Sequence, residues 1–394
     1  MKIIITLICL CLIHFNLAYA DDDKQAFDVW INDLKVEALA NGISAETVNT
    51  ALDSVSLVPS AVTLDRTQPE FITTFINYLS RRVNLNTVSK GRDLMQANAA
   101  LLDSVEAHYG VPKQVLVAFW SLETNFGKNQ GDFSLPSALV TLAYEGRRAE
   151  FFRTELLNLL RIMDQQHLPI AKLQGSWAGA MGQMQFMPST FLKYAVDVDE
   201  NGQIDLWDSL PDAMGSAANY LANIGWKTQQ PVALQVSLPT NFDYSLAQLN
   251  VRKSVAEWSA LGVVVPAAWK KLNNAAILLP QGWSGPAFMV FDNFDVVMHW
   301  NRSVNYALSV ANFANWLVAD TPVYIGEGVE LDALSYNQVW ALQAKLNELG
   351  FDCGKPDGLP GQNTQKAIRL YQASQALPQD GYASPSLYHQ LLNN

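Results

Sequence analysis

The sequence predicts a mainly α-helical protein with a small β region inserted late in its main domain and a separate helical module at the C-terminal end. Three observations carry that expectation. Apolar residues recur at helical spacing through most of residues 24–226 and again after 300. Between 231 and 300 the period changes: PVALQVSLP alternates like a strand, and PAFMVFDNFDVVMHW reads as two apolar runs joined at Asp292-Asn293. In the last sixty or so residues, QVWALQAKLNELGF and TQKAIRLYQASQAL are amphipathic, and each is followed by a turn rich in Gly, Pro and Asp.

Residues 1–20 have the form of a secretory signal: Lys2, the apolar run IIITLICLCLI, then Ala18-Tyr19-Ala20 before three aspartates. The run is short for a membrane span. Ile8 and Leu10 stand before Cys9 and Cys11, where a lipoprotein signal calls for a small residue, so a soluble exported, periplasmic protein is expected. Removal of the signal leaves Cys353 as the one cysteine, which excludes an intrachain disulfide and a cysteine-based metal or nucleophile site. A formal charge of −11 argues against nucleic acid and anionic lipid as partners. About half the residues (49%) are apolar, enough for a substantial core, and the length suits two or three domains.

Residues 24–53 read as helix, with Phe27, Trp30, Ile31, Leu34 and Leu39 on one face, and 69–104 hold two more helical patterns, including Tyr78 ahead of Arg81 and Arg82. VPKQVLVAFWSLETNFG (111–127) is the most informative stretch. Pro112 suits the first helical position and Gly127 a left-handed stop. Val115, Phe119, Leu122 and Phe126 form a stripe beside Glu123. A carboxyl set against aromatic surface loses solvation and holds its proton to higher pH, as a catalytic acid must. On this helix alone, the favoured reading of Glu123 is a solvated last-turn residue of an ordinary amphipathic helix. A polar loop, 127–136, precedes a helix in which Arg147 and Arg148 stand just ahead of an apolar stripe. Such a pair is either a solvated face or a fork for an anionic substrate.

In QGSWAGAMGQMQFMPSTFLKY (174–194) the small residues allow close backbone approach. Ser176, Gln183 and Gln185 offer uncharged hydrogen-bonding groups suited to sugar hydroxyls and amides. DVDENGQIDLWD (197–208) has the spacing of a calcium loop. Asp197, Asp199 and Asn201 take positions 1, 3 and 5, Gly202 the sharp turn, Gln203 its carbonyl, and Asp205 and Asp208 positions 9 and 12. A structural calcium or sodium ion is expected there, with no cofactor for catalysis. PDAMGSAANYLANIGW reads as helix and carries Tyr220. WNRSVNYALSVANFANWL returns to helix with Asn301 and Tyr306 near its start.

Taken together, SLETNFG (121–127), EGRRAEFF (145–152), GSWAGAMGQMQFMPSTF (175–191), DVDENGQIDLWD (197–208), ANYLANIGW (218–226) and WNRSVNYAL (300–308) resemble the membrane-bound lytic murein transglycosylase B family, glycoside hydrolase family 103. The end of the chain resembles the three-helix peptidoglycan-binding module. The resemblance implies a lysozyme-like fold that cleaves the MurNAc-β-1,4-GlcNAc bond, with Glu123 as the catalytic acid/base. Tyr78, Arg147, Arg148, Ser176, Gln185, Tyr220, Asn301 and Tyr306 then line the glycan cleft, with muropeptide as the module's ligand. Trp300 stands where the family commonly has Tyr: the indole keeps a stacking face and lacks the phenolic hydroxyl. Met184 stands where Gly is frequent. The expected division is signal 1–20, catalytic domain 21–318, polar linker 319–334 and binding module 335–394, with few contacts across the linker. A hydrolytic muramidase using the same glutamate, a non-catalytic wall-binding scaffold and a calcium-responsive adaptor are the alternative readings.

Overall fold

Helical spacing becomes helix almost wherever the sequence carries it. The computed structural model describes residues 25–67, 73–326 and 329–392, so the expected signal segment lies outside the described residues. The helices are α1 (25–40), α2 (Ala45–Leu52), α3 (Pro59–Thr67), α4 (Phe75–Arg82), α5 (Leu85–Ala97), α6 (Ala99–Tyr109) and α7 (Lys113–Thr124). After the two-residue strand β1 (Phe133–Ser134) come α8 (Leu135–Glu145) and α9 (Ala149–Gln166), then β2 (Gln174–Gly175), α10 (Pro188–Tyr194) and α11 (Leu210–Asn223). Strand β3 (Ala233–Val236), α12 (Val255–Ala260), β4 (Ala276–Leu278) and β5 (Ala287–Val290) make the inserted region. They lead into α13 (Asp292–Trp300) and α14 (Val304–Val318). The C-terminal module is α15 (Tyr336–Glu348), α16 (Gln362–Ser374) and α17 (Pro385–Leu392).

The chain divides into two units, one of residues up to Thr67 with Asn129–Ala213, the other of Gln68–Lys128 with the chain from Met214. The first is organised on α8, which is buried from Leu135 through Ala143 and packs along α9. Glu155 of α9 is 3% exposed and accepts from both the backbone N–H and the hydroxyl of Ser189, tying the first turn of α10 to α9. A buried carboxylate is tolerated only where donors surround it in this way.

In the second unit α14 packs against α7 and α5. Gly91 makes that approach close: a Cβ there would stand 2.8 Å from Leu317 Cδ2. The inserted region is an antiparallel sheet in the order β3-β5-β4, with Val236 opposite Ala287 and Ala276 opposite Val290. Its core holds Phe242, Trp258, Ile277, Met289 and Phe291, and the Trp258 indole donates to the Ala275 carbonyl at 2.9 Å.

Four expectations are revised. The helix expected over 24–53 breaks at 41–44, where Gly42 is left-handed (φ 80°) and Ser44 caps α2. The pattern at 69–104 contains three helices, α4 to α6. The second apolar run of PAFMVFDNFDVVMHW is helix α13, because a short apolar run fits either period and Asp292 and Asp295 favour a helix first turn. Helix α7 starts after Pro112, its N-cap, and ends at Thr124, with Asn125, Phe126 and Gly127 all at positive φ (51°, 62° and 77°).

The module has the expected core of Val339, Leu342, Leu346, Ala367, Ile368 and Tyr371, while Leu349 is exposed. Its connection is not loose. Gln235 exchanges two hydrogen bonds with the backbone of Tyr324, at 2.6 and 3.0 Å. Asn77 and Gln281 donate to the carbonyls of Leu331 and Glu330, at 2.8 and 2.5 Å. Asp380, 7% exposed, accepts from Gln372 Nε2 at 2.7 Å and the Tyr382 N–H at 2.9 Å within the module, and from the Trp283 N–H at 2.8 Å on the inserted region. Polar composition is shared by free linkers and by pinned ones whose backbone groups find side-chain amides, so the sequence does not separate the two.

Removing the Asp380 carboxylate strands these donors, at a cost of about 1–3 kcal/mol. Asp380→Ala is therefore expected to lower the melting temperature and to make the 319–334 segment easier to cut by protease. An unchanged melt and unchanged proteolysis would show that the contact holds nothing.

Candidate active site

Glu123 lies in the last turn of α7, where the buried stripe of Val115, Phe119 and Phe126 fixes the helix on its core side. Thr124 then stabilises the turn: its hydroxyl donates to the Trp120 carbonyl at 3.3 Å and accepts from the Gly127 N–H at 2.9 Å. Three successive left-handed residues, two of them not glycine, fold the chain away directly beyond the carboxylate. Such backbone is held only by surrounding structure. Phe126 supplies some of that hold, packed edge-on to Trp120 at 5.6 Å.

The corner between α13 and α14 brings the partners. Trp300 ends α13, and its indole N–H donates to Glu123 Oε1 at 2.9 Å. Tyr306 sits in the first turn of α14, where Ser303 caps its backbone N–H, and its hydroxyl donates to the same Oε1. Phe119, one turn before Glu123, packs against both rings, 4.5 Å from Trp300 and 6.1 Å from Tyr306. Tyr220 of α11 lies 5.1 Å from Trp300 on a tilted ring plane. Glu123 itself is half-buried.

Electrostatics keep Tyr306 a donor. Burial, then the Glu123 carboxylate and its hydrogen bond, push the phenol well above its ordinary range. The Arg82 guanidinium opposes that shift and lies 4.0 Å over the Tyr78 ring.

Of the residues expected at the site, Tyr78, Tyr220, Trp300 and Tyr306 belong to this constellation. Asn301 is next to it in sequence, half-buried, with its N–H donating to Val297 and its carbonyl accepting from Ser303. The expected loss of a polar group at Trp300 is replaced by an indole donor. Arg82 joins through Tyr78, a partnership its place on a basic flank does not reveal.

Ser176, Gln185, Arg147 and Arg148 belong to the other unit. The Ser176 hydroxyl accepts from the N–H groups of Ala178 and Ala180, at 3.3 and 2.9 Å, and so shapes its own loop. Gln185, at φ 50°, donates to the carbonyls of Gln130 and Gly182, each at 3.0 Å. Met184 is fully buried. Arg147 and Arg148 clasp Asp65, which is 2% exposed, at 3.3 and 3.0 Å, while both guanidinium side chains stay well exposed. The sequence offers no sign of that clasp, since Asp65 stands over eighty residues away.

The acidic loop is arranged differently from its twelve-residue pattern. Asp197, Asp199 and Asp212 each offer an oxygen within 4.8 Å of the others. Asp205 and Asp208 turn to Lys172 instead, Asp208 at 2.9 Å. Burial alone would raise Asp205, but Lys172 and the N–H groups of Asp208 and Trp207 carry it below the usual carboxylate range. A lysine is a poor neighbour for a cation ligand, which is the physical reason positions 9 and 12 leave the set. Asn201 accepts from the Gln203 N–H at 2.9 Å and so braces the turn that carries the Gln203 carbonyl. Asp212 has no exposed surface, and burial raises it while the N–H groups of Asp205 and Val198 oppose the rise.

Comparison with known proteins bears on the fold and the domains. Residues 26–315 match the Transglycosylase SLT domain family, and residues 335–391 match a peptidoglycan-binding domain family. The membrane-bound lytic murein transglycosylase B of Escherichia coli (strain K12) is 32% identical over 244 residues. The aligned stretch is 60% of this chain and 65% of that protein's length. SltB3 from Pseudomonas aeruginosa, solved in complex with NAG-anhNAM-pentapeptide, superposes with a TM-score of 0.88 at 40% identity, covering 93% of this chain and 99% of that one. The Escherichia coli lytic transglycosylase Slt35, solved in complex with calcium, covers 73% of this chain and 92% of its own, with a TM-score of 0.65 at 26% identity. The α-rich fold and the three-helix C-terminal domain agree with these matches: the chain belongs to the lytic murein transglycosylase B family.

Proposed function

We propose that this chain is a lytic transglycosylase that cleaves the MurNAc-β-1,4-GlcNAc bond of peptidoglycan and leaves 1,6-anhydroMurNAc ends. The observation that carries the reading is the two-donor grip on Glu123 Oε1. Ordinary glycosidases use two carboxylates. One carboxyl is enough when the nucleophile belongs to the substrate. Protonated Glu123 gives its proton to the glycosidic oxygen as the C1–O bond breaks. The carboxylate then takes the proton of the MurNAc O6 hydroxyl as O6 bonds to C1. Attack from within the same sugar gains several kcal/mol of barrier, on the order of the lower proximity estimates. Tyr306 and Trp300 stabilise the carboxylate between the two transfers. Tyr78, Tyr220 and Asn301 bind the sugars beside Glu123, while Ser176, Gln185 and the exposed faces of Arg147 and Arg148 bind the glycan or its stem peptide.

Glu123→Gln is expected to keep the fold and lose roughly 10²–10⁴ of the rate, the usual worth of general acid/base help. Mass spectrometry of products from purified peptidoglycan reads both outcomes that matter. Anhydro ends support transfer, reducing ends mean hydrolysis, and an active glutamine variant removes Glu123 from the chemistry.

The acidic cluster serves as a structural cation site, for calcium or sodium, formed by Asp197, Asp199 and Asp212 with the Gln203 carbonyl. Three carboxylates this close, one of them buried, repel unless a cation offsets them. Calcium added to chelator-treated protein should raise its melting temperature through binding to the native state. An equal melt with and without calcium overturns the site.

The protein is exported by its N-terminal segment and acts at the cell wall. Among the described residues no helix is long and apolar enough to cross a membrane. Residues 21–318 cut, and 335–394 bind peptidoglycan. A chain ending at residue 334 should turn over short soluble glycans almost unchanged and act more weakly on insoluble sacculi. Equal action on sacculi would assign the module another task.

A further inference from the structure

We infer that the cavity between the inserted region and the C-terminal module is a subsite for a neutral N-acetylated sugar of the glycan strand. This rests on the reading of the module as a peptidoglycan binder, and it makes the inserted region part of that binder. Both walls belong to the second unit. The turn after β4 supplies Gln281, Gly282 and Trp283, and Glu330, Asp380 and Tyr382 face them from the connection and the module. The space measures about 110 Å³. That is ample for several waters, and so for one sugar unit.

The walls are held apart at a set distance. Gly282 is left-handed (φ 76°), and a Cβ there would stand 3.0 Å from both Asp380 Oδ2 and Tyr382 Cδ1. Bare backbone lets the turn come against Tyr382. The Trp283 N–H donates to Asp380 at 2.8 Å. Gln281, 2% exposed, accepts from the Ile76 N–H at 3.0 Å and donates to the Glu330 carbonyl. These bonds fix the rim and leave the space between them open.

The lining selects the ligand. Trp283 is 53% exposed, and Tyr244 braces its ring edge-on at 6.2 Å. An exposed ring beside polar groups offers a stacking face for a sugar. Tyr382 lines the cavity, and its hydroxyl makes no hydrogen bond among the described residues. Burial, then the Glu330 and Asp380 carboxylates, push that phenol up to about 12, so it stays a donor. The Ser384 and Ser386 hydroxyls, 2.9 Å apart, and the exposed Gln390 add groups that donate and accept. Among the described residues no Arg, Lys or His lines the space, and Arg369, whose guanidinium feels Asp380, stands outside the lining. A stem-peptide carboxylate would therefore meet two carboxylates with no cation to offset it. An ammonium brings donors only, and Asp380 is already taken by three donors. An N-acetyl sugar brings an apolar ring face with hydroxyl and amide groups of both kinds.

The test uses the full chain carrying 5-fluorotryptophan. The Trp283 and Trp300 19F resonances are assigned by their loss in Trp283→Phe and Trp300→Phe. A GlcNAc tetramer, which has no MurNAc to cleave, should move the Trp283 resonance saturably, while free stem peptide and propylammonium should not. Tyr382→Phe should weaken the midpoint read at Trp283 by about three- to tenfold, the usual worth of a neutral hydrogen bond, and leave any midpoint read at Trp300 unchanged. A sugar response at Trp300 alone, or equal shifts of both midpoints in Tyr382→Phe, would show that the sugar binds only in the cleft and overturns the inference. A Trp283 response to the peptide or the amine but not to the sugar overturns it too. Should Tyr382→Phe fail to fold, the three probes on the unsubstituted chain decide. Whether the module binds peptidoglycan at all is read separately, by the chain ending at residue 334 on sacculi. A Trp283 resonance indifferent to sugar, in a chain whose module is needed on sacculi, brings down this inference alone.

Discussion

One oxygen atom organises the second unit: Glu123 Oε1, held by an indole and a phenol that arrive from a single corner of the chain. Both of these donors are neutral. A guanidinium in their place would form a charge-assisted pair and hold the acid ionised. The Arg82 guanidinium lies over the Tyr78 ring. Neutral donors suit the proposed single-carboxyl mechanism, in which the same group acts first as an acid and then as a base.

That grip depends on packing well away from the carboxylate. Helix α7 delivers Glu123 and α14 delivers Tyr306, and the two helices pack directly on each other with α5 beside them. Phe119 touches both donor rings, so the residue that anchors α7 in the core also sets the spacing of the donors. The left-handed run at 125–127 removes the chain from the carboxyl end of α7, leaving Glu123 in the final turn. Precision in such a site comes from rigid elements and from second partners that lock each side chain.

Much of this is legible in the sequence, and the exceptions have physical causes. Asn301 lies in a break between α13 and α14 that the sequence does not signal. The Glu123 helix apart from its ends, the helix that carries Tyr306 and most of the module core follow from period. Helix α13 does not, because VVMH within an apolar run satisfies strand and helix alike until a first-turn aspartate is weighed. The acidic loop is recognisable by spacing, yet its membership is not. Lys172 lies outside the motif and pairs with Asp205 and Asp208, and Asp212, beyond the twelfth position, lies with Asp197 and Asp199. The Trp300 donor is hidden because exchanging an aromatic alcohol for an indole looks like a plain loss of a polar group. An indole N–H in place of a phenol keeps the donor half of that group and drops only the acceptor half.

Side-chain amides and one buried carboxylate do for the C-terminal module what the aromatic donors do for Glu123. A module on a free tether works by effective concentration, which depends on linker length. Here the connection is bonded at Tyr324, Glu330 and Leu331, and Asp380 grips the Trp283 backbone. Fixing these residues costs chain entropy, roughly 1–2 kcal/mol for each ordered backbone residue, which the amide side chains of Asn77, Gln235 and Gln281 help to offset. Rigid attachment gives up the range of a flexible tether and gains a set orientation. For a substrate that is itself a long polymer, orientation is the scarcer quantity: neighbouring repeats are always close by, and what limits productive binding is the direction from which the strand meets the module.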